Sequence, residues 1–77
     1  MTQAVEVTAD LVASVVRVER ARGDHVTRGD VLLVVESMKM EIPVRATADG
    51  VVRELEVTAG DVVTEGDVLA VIALESS

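Results

Sequence analysis

A chain of 77 residues has room for one modest hydrophobic core and too little length for separate catalytic and substrate-binding domains, so residues 1–77 are expected to form a single domain. A formal charge of -7, from 14 acidic and seven basic side chains, argues against a nucleic-acid partner and against adhesion to an anionic membrane, and makes basic protein surfaces the expected partners. There is no aromatic residue and no cysteine, so the core must come from 18 valines, six leucines and two isoleucines, with no disulfide framework and no thiol chemistry.

The first residues, Met1-Thr2-Gln3-Ala4-Val5-Glu6, lack the basic region and apolar run of a secretory signal. Charged residues interrupt every apolar stretch well short of the roughly 20 residues that cross a bilayer, and a cytoplasmic location is expected. From about residue 13 the chain reads as strand, Gly-Asp turn, short apolar link, Gly-Asp turn and strand, the last being Val31-Leu32-Leu33-Val34-Val35. Turn signals this close leave no room for a helix, so the plan is all-β. Gly23-Asp24 and Gly29-Asp30 read as turn formers rather than calcium ligands, glycine supplying positive φ and aspartate bonding nearby backbone amides. His25, the one histidine, is expected as a solvated turn residue, because no cysteine or second histidine accompanies it to make a transition-metal site. Arg17, Arg20, Arg22 and Arg28 form a basic stretch, read as a solvated edge that discourages strand pairing or as a docking face.

Next comes Glu36-Ser37-Met38-Lys39-Met40-Glu41, which places a lysine between two methionines at the crest of a predicted hairpin. The return strand follows, with Met40, Ile42 and Val44 alternating with Glu41, Pro43 and Arg45. A tight hairpin turn normally recruits Asn, Asp or Gly, and residues 37–41 contain none of them. Such rule-breaking concentrates at functional or strained sites, and the feature it preserves here is an exposed amine on a stiff support. An ordinary lysine amine is neutral in only about one molecule in 2,500 at pH 7. Lys39 has no neighbouring cation or apolar pocket of the kind that Schiff-base lysines use, so its activation is expected from another enzyme. Met38 and Met40 read either as strand-end core residues or as flexible apolar groups that seat in a partner's groove, and the hairpin context favours the groove.

The second half of the chain repeats the first. Gly23 through Leu32 recurs 37 positions later as Gly60 through Leu69, with eight of ten residues identical and no insertion. The same offset pairs Val15 with Val52, Glu19 with Glu56 and Val34 with Val71, giving repeat halves of about 13–35 and 50–72. Neither half can bury its apolar face alone, which predicts a pseudo-twofold sandwich or flattened barrel. Asp24, Asp30, Asp61 and Asp67 follow this repeat and are read as turn residues rather than a catalytic carboxylate pair. Only the first half continues into a lysine tip, while the second ends five residues after Ile72. Lys39 is therefore expected at the far end from both Met1 and Ser77.

The segment Glu36-Ser37-Met38-Lys39-Met40-Glu41 resembles the attachment motif of biotinyl domains, whose usual form is Glu-Ala-Met-Lys-Met. The resemblance runs over nearly the whole chain, taking in both Gly-Asp turns of each half, Val44-Arg45-Ala46 and Asp49-Gly50-Val51-Val52. In size the chain is similar to the short stand-alone biotin/lipoyl attachment proteins related to biotin carboxyl carrier proteins. The resemblance implies a flattened barrel or capped sandwich of two four-stranded antiparallel sheets, with biotin carried covalently on Lys39. It implies that Glu36, Ser37, Met38, Met40 and Glu41 are recognised by a biotin protein ligase, and that the chain has no catalytic residue and no metal site of its own. The implied role is to carry a carboxyl group between a biotin carboxylase and a carboxyltransferase, as a non-catalytic subunit that is monomeric when isolated. Ser37, Ala13 and Thr47 depart from the alanine, glycine and proline usual in the family, and the ungapped repeat argues against a protruding thumb. Two other readings remain: a lipoyl carrier, whose usual tip is Asp-Lys-Ala, and an unmodified structural interaction module, which generally lacks the lysine motif.

Overall fold

Valine-rich segments with alternating burial become strands wherever a Gly-Asp turn frees them, as in Ala13-Ser14-Val15, where buried residues flank an exposed serine. The computed structural model describes residues 3–75, which contain eight strands and no helix. These are β1 (Ala4–Thr8), β2 (Ala13–Val18), β3 (His25–Val26), β4 (Val31–Ser37), β5 (Met40–Arg45), β6 (Gly50–Leu55), β7 (Val62–Val63) and β8 (Val68–Leu74). They form two four-stranded antiparallel sheets, β1-β8-β6-β3 and β5-β4-β2-β7, as the family resemblance implies. Each sheet takes its two-residue strand from the other half of the chain, since β7 pairs with β2 and β3 pairs with β6.

The offset of 37 governs the pairing as well as the sequence. Thr8 lies opposite Val68 and Ala4 opposite Ala73; 37 residues on, Arg45 lies opposite Val31 and Glu41 opposite Glu36. Bulges recur too, between Val15 and Arg17 in β2 and between Val52 and Glu54 in β6. Four turns share one construction. The glycine sits at φ between 92 and 98°, the next aspartate returns its N–H to a carbonyl three residues back, and its carboxylate accepts that residue's N–H at 2.8–2.9 Å. Glycine third with positive φ is the type II pattern, in which a side chain at that place would be strained.

Leu32, Leu33, Val52, Leu69 and Ile72 are the largest fully buried side chains, drawn from both halves. The continuous apolar run of β4 is explained by a register shift between Val31 and Leu33, which accompanies burial of both Leu32 and Leu33. Val34 is buried outside that core, flanked in register by Arg17 and Pro43. Pro43 lies on β5, an edge strand, where a missing N–H is tolerated.

Two sequence expectations need correction. His25 is in strand β3 rather than a turn, opposite Val51, with Nδ1 2.8 Å from Glu75 Oε1. The basic stretch is not one edge: Arg17 lies in β2, an interior strand of its sheet, while Arg20, Arg22 and Arg28 fall in the connections around β3. Met1 and Ser77 lie outside the described residues. What is visible beside them is the Leu74 N–H donating to the Gln3 carbonyl at 2.8 Å, where the repeat places Ser37 and Met40 in the other half. One half closes with a hairpin and the other with the pairing of Gln3 and Leu74.

Gly50 and Ala13 occupy equivalent places but not equivalent space. A Cβ on Gly50 would overlap the Ala73 carbonyl oxygen and come within 2.8 Å of Ile72 Cγ2, whereas the Ala13 methyl is accommodated and buried. Gly50→Ala is expected to cost about 2–4 kcal/mol by overpacking, and Ala13→Gly only about 1 kcal/mol. Urea unfolding of the two variants checks the order.

Candidate functional site

Pairing between β4 and β5 continues to Ser37 opposite Met40, leaving Met38 and Lys39 as a two-residue loop. Both adopt positive φ, 53° and 65°, the signature of a type I′ turn, whose twist matches that of the flanking strands. Neither side chain favours this region, and each costs on the order of 1 kcal/mol or more. The turn persists because the register on either side is held by packing. Val35, buried, lies opposite Ile42, which packs against the core. A slip by one residue would turn both side chains out of the sandwich.

The six residues singled out in the sequence lie together at this end of the hairpin. Lys39, Glu36 and Glu41 are exposed and Ser37 is half-buried. Met38 is 91% exposed and Met40 66% exposed, which excludes the reading of the two methionines as core. Among the described residues Lys39 has no ion-pair partner. Glu36 and Glu41 face each other directly across the strands, an unfavourable placement for like charges. Arg17 relieves part of it, with Nη1 3.4 Å from Glu41 Oε1 and Nε 3.6 Å from Glu19 Oε1. These half-exposed pairs are worth at most about 1 kcal/mol. Arg17 thus joins the site although the sequence offered no local signal linking it to Glu41.

A cleft between the edge strands β1 and β5, floored by Val35 and Leu69, is lined by Ile42 and Pro43 but by none of residues 36–41. Lys39 stands clear of it. Among the described residues no histidine or thiol adjoins it, and the exposed amine is displayed to solvent.

The biotin-requiring enzyme family model matches residues 4–72. The biotinylated protein TB7.3 homolog of Mycobacterium leprae is 50% identical over 70 residues, which are 91% of this chain and 99% of that protein. Urea carboxylase of Kluyveromyces lactis contains a region that superposes with a TM-score of 0.86 at 36% identity, covering 91% of this chain but only 6% of the carboxylase. The lipoyl domain of the 2-oxoglutarate dehydrogenase complex from Azotobacter vinelandii superposes with a TM-score of 0.70 at 29% identity, covering 86% of this chain and 82% of that domain.

The strain at the turn has a direct test. Met38→Asn puts a residue that tolerates the left-handed region at an exposed position, and stability should rise by about 0.5–1 kcal/mol. The urea midpoint measures it; a lowered midpoint would contradict the strained turn.

Proposed function

Because this chain belongs to the biotin-requiring enzyme family, we propose that it is a biotin carrier whose attachment point is Lys39. The observation that carries the reading is an unpaired, exposed amine at the crest of a packed hairpin, between two methionines that are themselves exposed. These residues fit the group: an amide needs a free amine with room for a bulky acyl partner, and the turn supplies both.

Loading requires the Lys39 Nζ to lose a proton, which the ligase arranges, since no base adjoins the amine here. The nitrogen then attacks the acyl carbon of an activated biotinyl-adenylate, the new C–N bond forms and AMP leaves with the electrons of the broken C–O bond. Met38 and Met40 seat in the ligase, their flexible thioethers filling an apolar groove. Glu36, Ser37 and Glu41 frame the amine for recognition. Biotin, once attached, supplies a ureido ring able to carry a carboxyl group from biotin carboxylase to a carboxyltransferase. The hairpin's part is to keep the attached arm pointing outward while the carrier moves between the two enzymes. In this reading residues 1–77 are one carrier domain, monomeric when isolated, with no catalytic residue and no metal of its own, working in the cytoplasm. Among the described residues no helix is long and apolar enough to cross a membrane.

The likeness to a lipoyl domain keeps a lipoyl carrier as the second reading. Met38 and Met40 favour biotin, because the usual lipoyl tip replaces them with aspartate and alanine. An unmodified structural module gives no reason to expose Lys39 between two methionines.

Co-expression with a biotin protein ligase should give a mass increase of one biotinyl group. Lys39→Arg, which retains charge and turn, should show none. A lipoyl increment would select the second reading, and an unmodified wild-type chain or a modified Lys39→Arg variant would contradict attachment at Lys39.

A further inference from the structure

The two repeats are alike in backbone and unlike in charge. In the connections around β3, Arg20, Arg22 and Arg28 balance Glu19, Asp24 and Asp30. At the related positions around β7 the arginines become Val57, Ala59 and Glu65, while the acids are kept as Glu56, Asp61 and Asp67. The second set therefore holds four carboxylates and no cation, more than half of the net charge of -7.

Strand register puts these two sets at opposite ends. Val62 of β7 lies opposite Ser14, which lies opposite Glu36, one pair before the turn pair Ser37–Met40. Around β3, Val26 lies opposite Gly50 and Gly50 opposite Leu74, which meets Gln3, and His25 touches Glu75. Strand β5 runs between the ends, from Met40 beside Lys39 to Arg45, whose guanidinium donates to the Gly29 carbonyl at 2.9 Å. Six residues of strand span about 20 Å, roughly twice the screening length at physiological salt, so a charged partner senses each end separately.

Exposed apolar groups follow the same division. The exposed large apolar side chains among the described residues are Val12, Met38, Met40 and Val62. All four lie at the Lys39 end, Val12 just before β2 and Val62 in β7. In the first repeat Val62 is replaced by His25.

We propose that Val12, Val62 and the acidic connections around β7 extend the docking face beyond residues 36–41, and that its occupant is the biotin protein ligase, offering an apolar seat within a rim of Lys and Arg side chains. This rests on the reading of Lys39 as the biotin site. The acidic rim draws in a basic ligase and turns Lys39 toward it, while the arginines at the opposite end disfavour the reversed approach. Val62 and Val12 add apolar contact beside Met38 and Met40 once the encounter has formed.

The repeat itself supplies substitutions that the backbone accepts. The test is ligase kcat/KM at several salt concentrations on the full chain, with circular dichroism to verify folding. Glu65→Arg, copying Arg28, should lower kcat/KM about fivefold through KM, and the loss should fade as salt rises. Val62→His, copying His25, should lower it by a similar factor, about fivefold, at every salt concentration. Ala21→Arg with Thr27→Lys, which adds the same two charges at the opposite end, should stay within about twofold of wild type. Equal losses from both charge changes would reduce the effect to net charge and overturn the proposal, as would wild-type rates in Glu65→Arg and Val62→His. Normal loading of those variants with impaired use by biotin carboxylase would give the face to that enzyme instead. A wild-type chain that the ligase never loads would refute the carrier reading itself, a result distinct from normal loading of the variants.

Discussion

Everything at the functional end depends on the register between β4 and β5. Val35 and Ile42, opposite one another, are packed toward a core built almost wholly of aliphatic side chains. Burying a large aliphatic side chain is worth roughly 1.5–3 kcal/mol, so the several that this register packs together outweigh the strain of the two residues in the turn beyond them, on the order of 1 kcal/mol or more each. The core therefore dictates a two-residue loop, the loop dictates positive φ at Met38 and Lys39, and an exposed amine follows from ordinary packing. Stability and display are one device.

The pseudo-twofold arrangement explains why a short chain suffices. Two similar halves each cover the other's apolar face, and each lends a two-residue strand to the other's sheet, so each would leave that face open without its partner. With the backbone duplicated, differences between the halves stand out as local requirements. One half ends in the Met38-Lys39 turn and the other in the meeting of Gln3 with Leu74. Gly50 lies too close to β8 for any side chain, while its counterpart Ala13 carries one. The surface charge differs in the same way between the connections around β3 and those around β7.

Much of this was legible in the chain itself. The Gly-Asp repeats mark out β2, β4, β6 and β8, because the turn chemistry at Gly23, Gly29, Gly60 and Gly66 is local and legible in residue type, and the alternation of Met40, Ile42 and Val44 marks out β5, whereas β3 and β7 read only as short apolar links. The absence of Asn, Asp or Gly around Lys39 flagged the strained turn for the same reason. The repeat does not reveal β1, although Val5 and Val7 alternate with Glu6 and Thr8, since Val7 with Val44 is its single identity with its counterpart in β5. In the sequence His25 reads as a turn residue because two residues of strand leave no periodic signal; its pairing with β6 comes from the other half of the chain. The exposure of Val12 and Val62 at the Lys39 end, and the reach of Arg17 to Glu41, depend on long-range register that no local pattern carries.

The central proposal is that the core-imposed turn, and not the lysine motif alone, makes Lys39 a substrate. The most direct measurement is the rate of biotin loading for a variant with one glycine inserted between Met38 and Lys39, which keeps every side chain of the motif but replaces the fixed turn with a loose three-residue loop. The account predicts a fall in kcat/KM of about tenfold or more with domain stability nearly unchanged, because orientation of the amine is lost while the core is not. Loading at the wild-type rate would contradict it.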